Sequence, residues 1–326
     1  MEEKKRTGYI VLIVGAGQLG SRYLQGLSKC EIPLSIYVYD VSAESLAVAQ
    51  SRWFEVGGDK TMHQLQFAND FTVLPDEIDL AIISTNALVR PLVVEQLAEK
   101  VKVKNWLLEK VLAQSGQKLA ILESVIGANA NAWVNTPYRA MEWYNKIKSE
   151  MNLKGVFFSE IKGGNTFGLA CNAIHYLDLL VWFSGETITE IHTHELDKEW
   201  FKSKRPGFWD IFGSVEVFFS KGSKAIIRSD RSEKLPILIH LKTNDEEWVI
   251  HESDGIAIRN GNLTINGRDE YQSEMTARIV ESILLSGNCQ LPRLAESVSI
   301  HIPMIRSLLD HWNRNMPEKL TEVPIT

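Results

Sequence analysis

Cysteine is scarce: Cys30, Cys171 and Cys289 are the only three in 326 residues. A scattered, odd-numbered set supplies neither a disulfide framework nor the paired spacing of a structural zinc site, and it fits a reducing compartment. Long apolar runs are also missing. No stretch approaches the roughly 18 residues needed to cross a bilayer, and no basic amphipathic segment suggests a surface anchor, so no membrane role is expected. Glu2 to Arg6 followed by Tyr9 to Val14 has the outline of a secretion signal, yet acids intrude in the first part and glycines follow the second. A buried strand reads better there. Positive charge is not in surplus either: the net charge is -6, which leaves no electrostatic footprint for nucleic acid. There is no internal repeat, low-complexity tract or flexible linker. These absences point to a packed cytoplasmic protein.

With 44% apolar and 23% charged residues the composition is that of an ordinary globular chain, and the length exceeds what one hydrophobic core usually supports. Two domains are expected, 1–130 and 131–326. The first alternates short apolar runs (Tyr9 to Val14, Ser35 to Tyr39, Asp79 to Ile83, Trp106 to Leu108) with helical patterns, as βαβ units of a doubly wound parallel sheet do. Ser42 is placed to cap one helix and Pro91 to open another. Beyond about residue 135 the strands become longer, alternating and aromatic-rich: Gly155 to Ile161, Val215 to Phe219, Ala225 to Arg228 and Ile237 to His240. Helical patterns run over Tyr138 to Met151, Ala170 to Phe183 and Pro303 to Trp312. The second domain therefore reads as α+β with a largely antiparallel open sheet.

Gly15-Ala16-Gly17-Gln18-Leu19-Gly20 is a G-x-G-x-x-G directly after an apolar strand and opening a helix, the context a dinucleotide fingerprint needs. Gly15 permits the tight turn, Gly17 lets a pyrophosphate approach the backbone, and Gly20 lets helix and sheet pack closely, with Gln18 and Leu19 opening the helix whose N-terminus faces the anion. Asp40, 20 residues beyond Gly20, closes the second strand, where a carboxylate can accept from ribose hydroxyls and repel a 2′-phosphate. No Arg or Lys follows in Val41 to Leu46, so NAD is favoured over NADP. Thr85 and Asn86, ending the fourth strand, are expected on the nicotinamide side.

Two further segments carry chemistry. One is Trp106-Leu107-Leu108-Glu109-Lys110-Val111-Leu112-Ala113, and the other runs from Gly168 through Ala170-Cys171-Asn172-Ala173-Ile174-His175 to Asp178 and Leu180. Together they resemble the glucose-fructose oxidoreductase, inositol dehydrogenase and rhizopine-catabolism (Gfo/Idh/MocA) family, over essentially the whole chain in order and domain size. Members of that family carry Glu-Lys-Pro after the fifth Rossmann strand and a helix with an aspartate four residues before a histidine. Here Val111 stands at the proline and Cys171 at the aspartate. The resemblance implies hydride transfer between a nicotinamide and a sugar or cyclitol carbon, with Glu109 and Lys110 toward the cofactor and Lys110 and His175 at the reacting carbon. It also implies a second domain whose open sheet mediates a homodimer or homotetramer.

The residues agree with that implication on their own terms. Oxidising a secondary alcohol needs a base for the hydroxyl proton and a cation near the oxygen. Lys110 follows the C-terminal end of a parallel strand, where ligands bind in open α/β sheets, and His175 supplies an imidazole. With Cys171 at the aspartate position, Asn172 and Asp178, each three residues from His175, are the groups placed to orient its ring. Arg139, Asn165, Arg205 and Trp209 are further substrate candidates, Arg205 suiting a carboxylate or phosphate and Trp209 an apolar sugar face. His192 and His194 share a strand face, but no third ligand is spaced near them, so no metal is expected. The expected function is a NAD-dependent sugar or cyclitol dehydrogenase or reductase, acting on a sugar, cyclitol, sugar acid or nucleotide-linked sugar. The alternatives are a non-catalytic NAD-binding regulator or assembly protein, and a lyase or hydrolase that oxidises a sugar transiently.

Overall fold

The computed structural model describes residues 8–127 and 131–326. It divides into two compact units: the first runs to Glu109, resumes over Ala120–Asn135 and returns over Glu270–Leu294, and the second comprises Lys110–Leu119, Thr136–Asp269 and Ala295–Thr326. Residues Glu2 to Arg6 and the expected boundary at residue 130 lie outside the described residues. The division differs from a single cut in two ways, because Lys110–Leu119 belongs with the second unit and Glu270–Leu294 with the first.

In the first unit the strands β1 (Tyr9–Val14), β2 (Leu34–Tyr39), β3 (Gln64–Ala68), β4 (Leu80–Ile83), β5 (Asn105–Glu109) and β6 (Asn131–Asn135) form one parallel sheet in the order β3-β2-β1-β4-β5-β6. That order is the doubly wound dinucleotide-binding one, with its switch point between β1 and β4. Val11, Leu12, Ile13 and Ile82 are fully buried, the burial expected of strands covered on both faces and stabilising by about 1.5–3 kcal/mol per large side chain. The helices are α1 (Gln18–Leu27), α2 (Ala43–Glu55) and α3 (Arg90–Lys100). Ser42 caps α2 by accepting from the Ser45 amide, and Pro91 sits in the first turn of α3. α4 (Gly116–Ile126) contains the point at which the division between the units falls.

The second unit holds an eight-stranded sheet. Its strands are β7 (Phe158–Gly163), β8 (Ile188–His192), β9 (Gly213–Phe219), β10 (Lys224–Ser229), β11 (Leu238–Lys242), β12 (Glu247–His251), β13 (Ile256–Arg259) and β14 (Leu263–Asn266), in the order β8-β9-β10-β7-β11-β12-β13-β14. All its neighbours pair antiparallel except β10 with β7. The helices are α5 (Glu142–Glu150), preceded by a 3-10 turn over Pro137–Ala140, α6 (Leu169–Ser184) and, after α7, α8 (Leu294–Asn315). Tyr138 to Met151 is thus not one helix: Met141 is extended between turn and helix. α8 is far longer than Pro303 to Trp312 and carries Pro303 inside it.

A helix absent from the sequence reading is α7 (Gln272–Ser286), which packs on α1 in the first unit. A Cβ on Gly26 would lie 2.4 Å from the Thr276 Cβ, so only glycine permits that approach.

Candidate functional site

The first unit builds a cradle from backbone. Gly15 has φ +97°, and a Cβ there would meet the Thr85 amide nitrogen at 3.0 Å, so the turn after β1 closes against the end of β4 only with glycine. A Cβ on Gly20 would lie 1.8 Å from the Gly15 carbonyl oxygen. Gly17 is different. Its φ of -62° suits any residue, and nothing lies within 4 Å of a Cβ built on it. Neither strain nor neighbours require glycine there, which leaves open space over the N-terminus of α1 as the one feature a side chain would remove. That end has no side-chain cap and no acid in its first turn, so its amides and the helix dipole remain for an anion.

Around the cradle, Asp40 is half-buried. It accepts from the Ala16 amide at 2.6 Å and the Ser42 amide at 2.8 Å, which fixes the carboxylate at the rim of the glycine turn. Gln18 Oε1 accepts from Arg52 at 2.6 Å. Ser84, not singled out by the sequence pattern, donates to the Gly15 carbonyl at 2.6 Å and braces the turn. The Thr85 hydroxyl oxygen is enclosed with no partner among the described residues, a donor awaiting an acceptor. Asn86 instead caps the next turn, its Oδ1 accepting from the Leu88 and Val89 amides. Glu109 is 3% exposed and accepts from the Tyr23 hydroxyl and from Asn135 Nδ2, which also donates to Gln272. Buried tyrosine and amide donors make it an interior tie between α1, β5 and β6.

The second unit builds a pocket from side chains. Lys110 Nζ donates to the Cys171 carbonyl at 3.0 Å and to Asn172 Oδ1 at 2.9 Å, so the first turn of α6 holds the ammonium in place. The Lys110–Val111 peptide is cis. The strand of chain after Lys110 is fixed by His301, fully buried on α8, whose Nδ1 donates to the Ser297 carbonyl while Nε2 accepts from the Leu112 amide. Lys110, Asn172, Asn165 and Arg205 line a cavity of about 240 Å³, along with Cys171 and Asp210.

Asp210 is the residue sequence reasoning missed. It is 4% exposed and accepts from the Ala170 and Ile211 amides at 2.8 and 2.9 Å. It thereby caps α6 and places a carboxylate beside Cys171 and Lys110. Burial pushes its carboxyl up from the ordinary value, opposed by those amides and by the Lys110 charge. Burial, then the Asp210 charge, push the Cys171 thiol up to about 12, so it is a neutral thiol and no nucleophile. The aspartate position of α6 lacks a carboxylate, but the short strand Trp209–Asp210 delivers one to the same place. No spacing rule connects residues 171 and 210.

His175 is half-buried, and its Nδ1 is enclosed with no partner among the described residues. Burial, reinforced by the Lys110 charge, holds the imidazole well below its ordinary range, so it is neutral near pH 7. Neither expected orienter serves it. Asn172 is engaged by Lys110, and Asp178 takes Arg139 in a two-point fork at 2.9 and 2.8 Å, with Glu296 at 2.8 Å on the same guanidinium. Arg139, 6% exposed and bound on both sides, is thus a member of a buried ion-pair network. Tyr138 meets the His175 ring edge-on at 5.9 Å and restrains it by packing. Trp209 packs edge-on against Trp312 at 5.5 Å, and it is its neighbour Asp210 that lines the cavity.

No protein-family model matches the sequence, and no curated protein matches it. Solved structures do. A crystal structure of an oxidoreductase from Agrobacterium radiobacter, in complex with NAD+, L-tartaric acid and magnesium, superposes with a TM-score of 0.68 over 91% of this chain and 94% of that one, at 14% identity. Scyllo-inositol dehydrogenase from Lactobacillus casei, with bound NAD(H) and scyllo-inositol, gives 0.67 at 14% identity over 94% and 98%. UDP-N-acetylglucosamine 3-dehydrogenase from Acidithiobacillus ferrooxidans gives 0.66 at 12% identity over 92% and 95%. No helix among the described residues is long and apolar enough to cross a membrane. With nearly the full length of each chain superposed, this chain has the fold of the glucose-fructose oxidoreductase, inositol dehydrogenase and rhizopine-catabolism type.

Proposed function

We propose that the chain is a NAD-dependent oxidoreductase that interconverts a secondary alcohol and a ketone on a polyhydroxylated substrate: a sugar, cyclitol, sugar acid or nucleotide-linked sugar. The observation that carries the reading is the Lys110 ammonium, tethered by α6 in a polar cavity with Asp210 beside it and a neutral imidazole, His175, on the same helix.

The first unit is assigned the cofactor. Gly15, Gly17 and Gly20 with the opening amides of α1 suit a pyrophosphate, Asp40 a ribose diol, and Thr85 a polar group of the nicotinamide end. Bound NAD supplies the hydride acceptor or donor that the chain itself lacks. The second unit is assigned the substrate. Lys110 stabilises negative charge developing on the substrate oxygen, and a fixed ammonium needs no reorganisation to do so. His175, kept neutral by its surroundings, accepts the hydroxyl proton; the burial and the Lys110 charge that oppose its protonation then favour passing that proton on. Asp210 and Asn172 position Lys110 and face the cavity with acceptors for substrate hydroxyls. Arg205, exposed at the rim, suits an acidic substituent.

NADH formation across a panel of cyclitols, sugars, sugar acids and nucleotide sugars tests the reading. Turnover on at least one class, lost in Lys110→Met, supports it; silence across the panel with NAD binding intact moves the protein to the non-catalytic alternative.

A further inference from the structure

The histidine pair at the end of the edge strand, His192 on it and His194 in the turn that follows, acquires in the fold what it lacks in sequence. β8 ends the eight-stranded sheet and pairs antiparallel with β9 so that His192 stands opposite Glu216. Side chains alternate along the segment, with Ile191 and Thr193 buried and His192 and His194 exposed, so both imidazoles and the carboxylate share the outer face. One ligand atom from each of His192, His194 and Glu216 lies within 4.8 Å of the others, and His194 Nε2 is 3.7 Å from Glu216 Oε2. Bonds of about 2.0–2.1 Å to a tetrahedral zinc set ligand atoms about 3.4 Å apart, so closing the site takes about 1 Å of side-chain adjustment.

The frame behind these residues is fixed. From α8, Ser307 donates to the Ile191 carbonyl at 2.8 Å and Arg314 to the Thr193 hydroxyl at 2.9 Å. The Phe218 ring packs on His192 at 4.6 Å between centroids. Preorganised backbone and a restrained ring lower the ordering cost of binding.

We propose that His192, His194 and Glu216 bind a divalent transition metal of the zinc class through three protein ligands, leaving one position open. Two imidazoles and a carboxylate are a donor set that zinc uses when an open position is kept, and imidazole nitrogen selects against the oxygen-seeking calcium and magnesium ions. The metal competes with the hydrogen bond that now joins His192 Nε2 to Glu190 at 3.1 Å. Both histidines also line a cavity of about 530 Å³ bounded by α8, which gives an external ligand room beside the open position. The proposal is independent of the oxidoreductase reading, because no residue of the Lys110 cavity takes part.

Calorimetric titration of chelator-stripped full-length protein with zinc chloride tests it, in a buffer that does not coordinate metal. One equivalent is expected to bind with a Kd of about 10 µM or tighter, weakened about tenfold or more by His192→Ala and by Glu216→Gln. His240→Ala removes another strand histidine, paired at 2.7 Å with the single carboxylate of Glu247, and is expected to leave the affinity unchanged. Cobalt(II) in place of zinc is expected to give the strong visible absorption of a four-coordinate centre, lost in the same two variants. Since all three ligands lie at the surface, unchanged far-ultraviolet circular dichroism will confirm that the variants fold. Zinc binding weaker than about 100 µM, or one-equivalent binding that survives both substitutions, overturns the proposal.

Discussion

The two units prepare their sites by different means. In the first, the cradle is made of backbone: a left-handed glycine, a glycine too crowded for any other residue, and uncapped amides over open space at Gly17. In the second, the cavity is made of charged and polar side chains carried inward. In the second unit burial raises the carboxyl groups of Asp178, Asp210, Glu252 and Asp269, whereas in the first the exposed Asp70 and the half-buried Glu77 are lowered by hydrogen bonds or a neighbouring lysine. A cradle of amides binds a constant feature, a phosphate, at little cost in buried charge. Interior charges cost stability when unpaired, and chemistry on a substrate is where that cost has a use.

If that contrast holds, substitutions in the second unit should alter rate and pH dependence, and those in the first should alter cofactor choice. The largest effect is expected from Lys110→Met, which should lower the hydride-transfer rate by about two to four orders of magnitude while leaving NADH affinity within about twofold, read by rapid-mixing absorbance and by calorimetry. A parallel loss of NADH affinity would place Lys110 with the cofactor and break the division of labour.

Next in size is a stability effect. Burial and the Asp269 charge push Glu252 up from 4.5 to about 7, opposed by hydrogen bonds from tyrosines that include Tyr144 and Tyr176. A raised carboxyl stabilises the fold fully below its unfolded value and progressively less as pH climbs toward the folded one. At about 1.4 kcal/mol per tenfold change in proton affinity, ionising Glu252 costs the fold about 3 kcal/mol. Glu252→Gln keeps an acceptor for the tyrosines and removes the ionisation. In urea unfolding, the variant should therefore gain about 1–3 kcal/mol on the unaltered protein between about pH 5 and pH 8. An equal pH slope in both proteins would show that Glu252 is not the group responsible.

Asp210→Asn is expected to slow turnover about thirtyfold. It retains an acceptor for the Ala170 amide but removes the negative charge beside Lys110, so kcat should fall more than KM rises. The same geometry predicts that Cys171→Asp does not raise turnover, because Asp210 already supplies the carboxylate and a second one alongside it meets like charge. Increased activity in Cys171→Asp would show that position 171, not Asp210, limits the site. The smallest effect belongs to the first unit. Asp40→Asn keeps an acceptor for the Ala16 amide and should narrow the preference for NAD(H) over NADP(H) by about tenfold in calorimetry.

The same contrast explains what could be read in the sequence. The glycine turn, Asp40, the sheet of the first unit and the caps at Ser42 and Pro91 are consequences of neighbours a few residues apart, so spacing exposes them. Lys110, Asn172 and His175 are singled out by short segments whose order is characteristic. Asp210, His301 and Glu216 are not, because each reaches its partner through strand pairing or helix packing across a long separation in the chain. The surroundings of Arg139 and Trp209 were hidden for the same reason. Their chemistry suited a substrate, but Asp178, Glu296 and Trp312, brought in by packing, already satisfied them. Helix α7 escaped because its hydrophobic face is matched to α1, some 250 residues earlier, and not to its own surroundings in sequence.

The most direct test of the account is the single-turnover rate of nicotinamide reduction in the unaltered protein and in His175→Ala, with the substrate found active in the panel and NAD saturating. A neutral, enclosed imidazole acting as the proton acceptor predicts a fall of about two to four orders of magnitude, with no change in NADH affinity and with the rate of the unaltered protein independent of pH across the ordinary histidine range. A His175→Ala protein that reduces NAD at the unaltered rate would contradict it.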